Sequence, residues 1–376
     1  MAALALAGGV TAAHLGGCSA VGGSRARARL REEIRPEAVR SAATLVADWQ
    51  LRHLSPYAPD DWTVAPFWTG LVAFAPLSRT PDAYLEAARE NGRRNAWRPG
   101  PRPFFADDLA ITQSYFMLYD IDHDRREIEP TLARFDALVK QPFDEPLEFS
   151  SERSLREWVW CDALFMAPPA LVMASRATGD RRYVDLMERL WWKTTSYLYD
   201  PGGRLYYRDS RFFDRRERNG RKVFWSRGNG WVLAGLARVL QYLPAEHSGR
   251  PRLVTLFEAM AAEIVALQQP TGYWPVSLLD PDGWPARETS GTAFFTYALA
   301  WALNVGVVAR ARYESAVRGG WAALIRSLEP DGKLGWVQEP AEGPADVAAD
   351  HTEPYAAGAF LLAGAEVYRL ADRFDR

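Results

Sequence analysis

The feature that most constrains the fold of this chain is a pattern that recurs six times along it. Each time, a polar or glycine-containing loop leads into a run of small and apolar residues with helical spacing. The six segments are 67–73 (FWTGLVA), 107–112 (DDLAIT), 162–166 (DALFM), 228–236 (GNGWVLAGL), 289–295 (TSGTAFF) and 355–361 (YAAGAFL). Their starts lie about 40 to 70 residues apart, enough for one helix out and one helix back. The repeat therefore predicts six helix pairs.

More polar, amphipathic helices are predicted between these segments, for example at 81–95, 180–199 and 251–267, where apolar residues recur at i, i+3, i+4 and i+7. Alternation of period two is scarce, and 204–208 (RLYYR) is the best candidate strand. Six buried helices inside six amphipathic ones can close into a ring, with all six loops on one rim.

We therefore predict an all-α fold, a six-hairpin (α/α)6 toroid that forms a single catalytic domain. The alternative is an open stack of helix pairs, as in solenoid proteins. A binding stack would be expected to repeat one motif, whereas these six loops are chemically distinct and rich in Asp, Arg, Trp and Asn. The closed ring is the better interpretation.

The first 20 residues differ from the rest, being rich in Ala and Gly and free of Lys and Arg. This run is too short and too rich in glycine for a membrane span, and its end at 15–18 (LGGC) is typical of a bacterial lipoprotein cleavage box. We predict a lipoprotein signal at 1–18 with lipidation at Cys18, a flexible tether at 19–36 and the barrel at 37–376. The alternative is an unstructured tail with a chance cysteine.

Composition excludes several classes of function. The 45 Lys and Arg residues balance 47 Asp and Glu, so no basic face for nucleic acid is expected. With two cysteines, five histidines and no His-x-x-x-His pair, we expect no metal site and no cofactor. Motifs of phosphate loops, elbow serines and zincins are absent from the sequence. The 15 Trp, 15 Tyr and 17 Phe residues instead indicate a large aromatic-lined cleft.

Asp162 is the first candidate for catalysis because it lies inside an apolar run, 158–166 (WVWCDALFM). Such surroundings raise the pKa of a carboxyl group, which suits a general acid near neutral pH. The alternative is a helix N-cap, since an Asp before Ala-Leu-Phe is a favoured helix start. The two interpretations are compatible.

Asp107 and Asp108 form an adjacent acidic pair at the start of another repeat. Carboxylates there also suit capping and the helix dipole. Because Asp162 is expected on the same rim about one repeat away, a site with two carboxylates of the kind that glycosidases use becomes plausible.

The segment 224–231 (FWSRGNGW) is the densest candidate for substrate binding. Its two glycines allow a tight turn that would hold Arg227 and Asn229 at a helix N-terminus. Trp225 and Trp231 flank the arginine, so a carboxylate could bind the guanidinium while an indole stacks on a sugar. The alternative is a turn between helices with two core tryptophans.

Three further residues lie on the predicted loops. Arg208 either lines the rim or pairs with Asp209 on a surface hairpin. Trp62, on the first loop, is a candidate for stacking on a sugar ring. Glu288 is interpreted as a helix cap somewhat more readily than as a substrate contact.

Taken in order, five strings resemble the glycoside hydrolase family 88/105 group, the unsaturated glucuronyl and rhamnogalacturonyl hydrolases. These strings are 106–108 (ADD), 160–166 (WCDALFM), 225–231 (WSRGNGW), 288–293 (ETSGTA) and 355–364 (YAAGAFLLAG). The resemblance covers about residues 37–370. Its second and third strings are specific, whereas the acidic pair alone is weak.

The resemblance implies a six-hairpin toroid and substrates left by polysaccharide lyases, which end in a 4,5-unsaturated uronic acid. It implies that Asp162 protonates C4 of the double bond and then helps deprotonate the water that adds at C5. The second carboxylate would be Asp107 or Asp108, and spacing slightly favours Asp107.

The resemblance also implies that Arg227 belongs to the substrate pocket, with Trp225, Asn229 and Trp231 around it. One departure affects specificity: some members have a His-Gly pair where this sequence has Arg208 and Asp209. An added basic residue would suit a sulfated or more anionic substrate.

Two other functions remain open from the sequence. One is an ordinary glycosidase that uses Asp162 with Asp107 or Asp108, and the other is a noncatalytic sugar-binding protein. On the leading interpretation the partners are oligosaccharide products of lyases, without nucleic acid, and the membrane is contacted only through the lipid anchor. We expect a monomer or homodimer, exported to the periplasm or membrane-anchored in a bacterium.

Overall fold

The computed structural model describes residues 32–151 and 154–374, and the side chains up to residue 371. The predicted signal at 1–18, its lipidation site Cys18 and most of the predicted tether at 19–36 lie outside the described residues. Within those residues, no helix is both long and apolar enough to cross a lipid bilayer.

Helices dominate the described chain. In order they are α1 (Pro36–Arg52), α2 (Ala65–Phe74), α3 (Pro81–Arg94), α4 (Thr112–Asp122), α5 (Glu129–Leu138), α6 (Ala163–Met166), α7 (Pro168–Thr178), α8 (Arg181–Leu198), α9 (Ser226–Tyr242), α10 (Arg250–Ala266), α11 (Thr289–Val305), α12 (Arg310–Ile325) and α13 (Pro354–Phe374). Short 3₁₀ segments, among them Ala106–Leu109, occur in the connections.

The inner helices form a closed ring. Helix α2 packs on α4, α4 on α7, α7 on α9, α9 on α11, α11 on α13, and α13 returns to α2. The outer layer consists of α1, α3, α5, α8, α10 and α12, which alternate with the inner helices along the chain, and the four-residue α6 leads into α7. The predicted six-hairpin (α/α)6 toroid is therefore confirmed, and an open stack is excluded because α13 closes on α2.

Small residues on the inner helices are explained by close backbone contact. A Cβ atom on Gly70 of α2 would lie 2.3 Å from the carbonyl oxygen of Gly358 on α13, a distance that no side chain tolerates. Gly235 of α9 approaches the carbonyl oxygen of Leu164 in α6 in the same way. The inner ring is consequently buried almost throughout, as the 15 buried residues of α11 illustrate.

Outer helices bury one face only, as their amphipathic spacing predicts. In α8, for example, buried positions include Tyr183, Met187, Leu190 and Trp191, and the side chain of Asp180 caps the helix by accepting from the Arg182 backbone N–H. The apolar face of each outer helix packs on the inner ring, and the polar face meets solvent.

The predicted strand at 204–208 is shorter than expected. Two residues of β2 (Leu205–Tyr206) pair antiparallel with β1 (Tyr199–Asp200). This small hairpin lies on the connection between α8 and α9, which is one of the loops that lead into the inner ring. The sheet is the only one among the described residues.

Candidate active site

A cavity of about 360 Å³ opens on the rim where the chain enters the inner helices. Its lining comes from the connections before α2, α4, α6, α9 and α13, so five of the six predicted loops contribute. The lining residues are Trp62, Arg102, Phe105, Asp107, Phe149, Leu155, Trp160, Asp162, Met166, Arg208, Pro340, Ala341 and Glu342. Four of these residues are site residues predicted from the sequence: Asp107, Asp162, Arg208 and Trp62.

Asp162 is buried at the start of α6 but does not cap it. Among the described residues its side chain accepts no bond from the helix backbone, and its φ of −61° and ψ of −30° are already helical. Asp162 thus occupies the N-cap position, as one interpretation held, but its side chain makes no capping bond. Burial raises the pKa of this carboxyl group, and the charges of Arg208 and Arg227 oppose part of that rise.

Asp107 faces the same cavity from the 3₁₀ segment before α4. Its Oδ1 atom is shielded from solvent and has no hydrogen-bond partner among the described residues. Burial, followed by the negative charge of Asp162, raises the pKa of Asp107 to about 8. The two aspartates therefore form an interacting pair in one cavity, and Asp107 is predominantly neutral at pH 7.

Asp108 has a different environment, although it is the next residue in the chain. It does not line the cavity, and its Oδ1 accepts from Arg102 Nε at 3.0 Å and Nη2 at 2.5 Å. Its Oδ2 accepts from the backbone N–H of Arg102 at 2.5 Å. Of the two candidates for the second carboxylate, geometry thus leaves Asp107, and Asp108 stabilises the loop before it.

Arg208 lines the cavity between carboxylates. Its Nη1 donates to Asp209 at 2.7 Å, and its Nε lies 3.7 Å from Oδ2 of Asp162. Arg208 and Asp209 do pair, as one interpretation held, but not on a surface hairpin: the side chains are 11% and 0% exposed. The pair is buried beside the proposed acid.

Aromatic rings form the walls of the cavity. Phe105 stacks on Trp160, with ring centroids 5.0 Å apart, and Trp62 stacks on Tyr355 at 5.6 Å. Trp62 is partly exposed and lines the cavity, so it is available for a sugar ring as predicted. Whether it contacts substrate stays a prediction.

The segment 225–231 is placed differently from what sequence analysis suggested. Trp225, Arg227, Asn229 and Trp231 are all at most 2% exposed, and none of them lines the cavity. In the free protein, neither the two tryptophans nor the arginine is exposed to the cavity, so their contact with substrate stays a prediction. Trp225, Arg227 and Asn229 instead bond to the segments that form the cavity wall.

Arg227 and Trp225 bond to residues 338 and 339, next to the part of the cavity wall formed by residues 340–342. The Arg227 guanidinium donates to the carbonyl oxygens of Gln338 at 2.5 Å and Glu339 at 2.9 Å. Trp225 Nε1 donates to Oε1 of Gln338 at 2.8 Å. Arg227 holds the backbone and Trp225 the Gln338 side chain of the segment that immediately precedes the lining residues 340–342.

Asn229 and Trp231 act on other parts of the site. The Asn229 amide bonds both the N–H and the carbonyl of Tyr206, at 2.8 and 3.0 Å, and so anchors the strand two residues before Arg208. Trp231 packs in the core, with ring centroids 4.2 Å from Phe294 and 4.8 Å from Phe165. Core packing, the alternative for this tryptophan, is the correct interpretation.

Glu288 confirms the capping interpretation. It is buried, and its carboxylate accepts from the backbone N–H groups of Ser290 and Gly291 at the start of α11, at 2.9 and 2.7 Å. It also does not line the cavity.

Several lining residues were missed by sequence analysis, chiefly Arg102, Phe149 and Glu342. They lie on irregular connections, which have no periodic sequence pattern from which to predict the side chains that line the cavity. Phe105, two residues before Asp107, was the one available signal. In the described residues, no group of three or more His, Cys, Asp and Glu side chains could hold a metal ion.

Together, a closed helical toroid and an aromatic cavity with two interacting carboxyl groups define a carbohydrate-active hydrolase. Sequence comparison agrees: the chain belongs to Glycosyl Hydrolase Family 88, whose profile matches residues 37–371. It is a glycoside hydrolase.

Individual relatives are similar over most of their length. An unsaturated 3S-rhamnoglycuronyl hydrolase from Formosa agariphila is 38% identical over 340 residues, which cover 86% of this chain and 89% of that protein. The solved structure of a glycosyl hydrolase family 88 protein from Bacteroides vulgatus has a TM-score of 0.80 at 32% identity, covering 89% of this chain and 99% of that one. A solved structure described as a polysaccharide lyase has a TM-score of 0.81 at 32% identity, covering 90% and 98%.

Proposed function

We propose that this protein removes a terminal 4,5-unsaturated uronic acid from oligosaccharides by hydrating its vinyl ether. The observation that carries the proposal is the pair of Asp107 and Asp162 in one aromatic cavity, both with raised pKa values and with a cation, Arg208, beside them. The similarity to an unsaturated 3S-rhamnoglycuronyl hydrolase supports the same conclusion.

Asp162 acts as the proton donor. Its carboxyl proton passes to C4 of the double bond, which leaves positive charge shared between C5 and the ring oxygen. Water then adds at C5 and returns a proton to the Asp162 carboxylate. The resulting hemiketal opens, and the hemiacetal left at C1 releases the shortened sugar, so one water molecule is consumed and the acid is regenerated.

Arg208 binds the uronate carboxylate, and the bound carboxylate favours the protonated form of Asp162. In the free protein the arginine charge opposes the rise in the pKa of Asp162. A substrate carboxylate bound to Arg208 offsets that charge, so the pKa of Asp162 rises further when substrate is present. Binding the correct anion thus favours the protonated acid that the first step needs.

Asp107 orients the sugar as a neutral group. With a pKa raised to about 8, it carries its proton at pH 7 and donates a hydrogen bond to a sugar oxygen. Its neutrality also removes the repulsion that two ionised carboxylates would exert in one buried cavity. This differs from a glycosidase in which the second carboxylate is ionised and attacks or activates water at C1.

The test is a spectroscopic assay on oligosaccharides prepared with a polysaccharide lyase. Unsaturated uronides absorb in the near ultraviolet, and hydration of the double bond removes the chromophore. We expect absorbance to fall with the wild type and to stay constant with Asp162→Asn. A rise in absorbance on uncleaved polysaccharide would identify a lyase, and release of sugar from saturated glycosides alone would identify an ordinary glycosidase. Binding without turnover would identify a sugar-binding protein.

We also propose that the protein is exported and anchored through a lipid on Cys18, on the basis of the sequence at 15–18 (LGGC). Fractionation of cells that express the full chain tests this. The wild type is expected in the membrane fraction and Cys18→Ala in the soluble fraction. Recovery of the wild type in the soluble fraction contradicts the anchor.

A further inference from the structure

Two arginines line the cavity at different depths. The Arg208 side chain is 11% exposed and lies beside Asp162, whereas the Arg102 side chain is 54% exposed. Arg102 also lies close enough to Asp107 for its charge to lower that residue's pKa against the effect of burial. One cation is therefore deep, at the reacting groups, and the other is at the mouth.

The Arg102 guanidinium is held in place before any ligand arrives. Its Nε and Nη2 bond Asp108, and its plane lies over the Phe105 ring at 3.7 Å from the centroid. Its Nη1 makes no hydrogen bond to any described residue. An arginine fixed in this way loses little side-chain entropy when it binds an oxyanion through its remaining donors.

The acid at the mouth does not cancel this cation. Glu342 lines the cavity, but its carboxylate is bonded to Arg211 Nη1 at 2.9 Å. Arg211 itself stacks on Phe149 at 3.7 Å and does not line the cavity. The mouth thus presents two ion pairs, Arg102 with Asp108 and Arg211 with Glu342, and Nη1 of Arg102 is the donor left for a ligand.

We infer that Arg102 is a specificity-determining residue that binds an anionic substituent on the sugar next to the unsaturated uronate. The inference rests on the proposed function. The reacting ring carries one carboxylate, which Arg208 binds deep in the cavity. Arg102, at the mouth, therefore faces the neighbouring sugar ring. A sulfate ester and a carboxylate present the same bidentate chemistry to a guanidinium.

Three unsaturated disaccharides test the inference. In each, an unsaturated glucuronyl group is linked to rhamnose 3-sulfate, to unsulfated rhamnose or to glucuronic acid. The measurement is the ratio of kcat/KM for each anionic disaccharide to that for the unsulfated one. We expect Arg102→Ala to lower the ratio about tenfold for at least one anion, mainly through KM, since one charge-assisted hydrogen bond is lost. Comparing sulfate with carboxylate identifies the preferred anion.

Arg134→Ala is the matched control. Arg134 Nη1 donates to the carbonyl oxygens of Gly100 and Arg102 at 3.2 and 3.1 Å, so it supports the same loop without lining the cavity. The ratios should persist in this variant. Equal losses on all three disaccharides in Arg102→Ala, or the same change in ratio in Arg134→Ala, would overturn the inference. A wild type inactive on all three would instead refute the proposed function.

Discussion

The Nε atom of Arg208 lies 3.7 Å from Oδ2 of Asp162 and has no hydrogen-bond partner among the described residues. Nη1 of the same guanidinium is bonded to Asp209. Burying a cation that has an unused hydrogen-bond donor costs free energy unless an acceptor binds to it. The uronate carboxylate of the substrate is the proposed partner of this guanidinium.

Replacing Arg208 with Ala should lower kcat/KM about 100-fold, through a higher KM and a lower kcat together. The KM rises because the uronate carboxylate of the substrate loses the guanidinium that binds it. The kcat falls because substrate binding no longer raises the pKa of Asp162. Steady-state kinetics on one lyase-derived disaccharide measures both.

Arg211→Ala is the control for this prediction. Arg211 also bonds Asp209, at 2.9 and 2.8 Å, but does not line the cavity. A substantially smaller loss is expected. If the two variants lost activity equally, the role of Arg208 would be limited to holding Asp209.

Replacement by Asn should affect stability at Asp108 and activity at Asp107. Asp108→Asn weakens the bonds to Arg102 and should cost about 1–3 kcal/mol of unfolding free energy, since the asparagine cannot accept as a charged group. Asp107→Asn should lower kcat about 100-fold because the hydrogen bond that orients the sugar is weakened.

Stability of the Asp107 variant should depend on pH in a defined direction. The pKa of Asp107 is higher in the folded protein than its ordinary value of 3.8, so its contribution to stability is complete below that value and is lost as pH rises through about 8. Above pH 8, Asp107→Asn should therefore melt at a higher temperature than the wild type. Thermal denaturation of both proteins at pH 5 and pH 9 checks this. A melting temperature of Asp107→Asn below that of the wild type at pH 9 would contradict it.

Activity should fall on the alkaline side as the carboxyl pair loses its protons. The upper step belongs to the pair and lies near the pKa of about 8 that burial and the charge of Asp162 give to Asp107. In Asp107→Asn only Asp162 titrates, so the alkaline limb of kcat/KM should move to lower pH. An unchanged limb in this variant would show that Asp107 does not take part in the titration.

Trp62 and Trp231 separate a binding role from a packing role. Trp62→Ala should raise KM about tenfold with a small effect on stability, because this ring lines the cavity. Trp231→Ala should cost about 3–5 kcal/mol, since a core indole is replaced by a void. Kinetics and chemical denaturation of both variants test the assignment, which fails if Trp231→Ala is as stable as the wild type.

The fold could be predicted from sequence because its signal is periodic. Six loop-and-helix segments, with glycines such as Gly70 and Gly358 where inner helices touch, give both the number of hairpins and their order. Closure of the ring follows because six pairs leave no exposed apolar face at either end of the series.

The site was harder to predict because burial and direction are tertiary properties. Asp107 and Asp108 have the same chemistry in the sequence, and only the path of the preceding loop turns one towards Arg102 and the other into the cavity. Arg227 was predicted to bind a sugar carboxylate, yet in the structure its guanidinium donates hydrogen bonds to the backbone carbonyls of residues 338 and 339. No sequence pattern reports which acceptor a buried arginine finds.

The most direct test of the central claim is turnover of a lyase-derived disaccharide in D₂O, followed by NMR at early times. We expect the wild type to place one deuterium stereospecifically at C4 while the near-ultraviolet absorbance disappears, and Asp162→Asn to slow both by at least about 10³-fold. Release of the sugar with the double bond intact and no deuterium at C4 would contradict it.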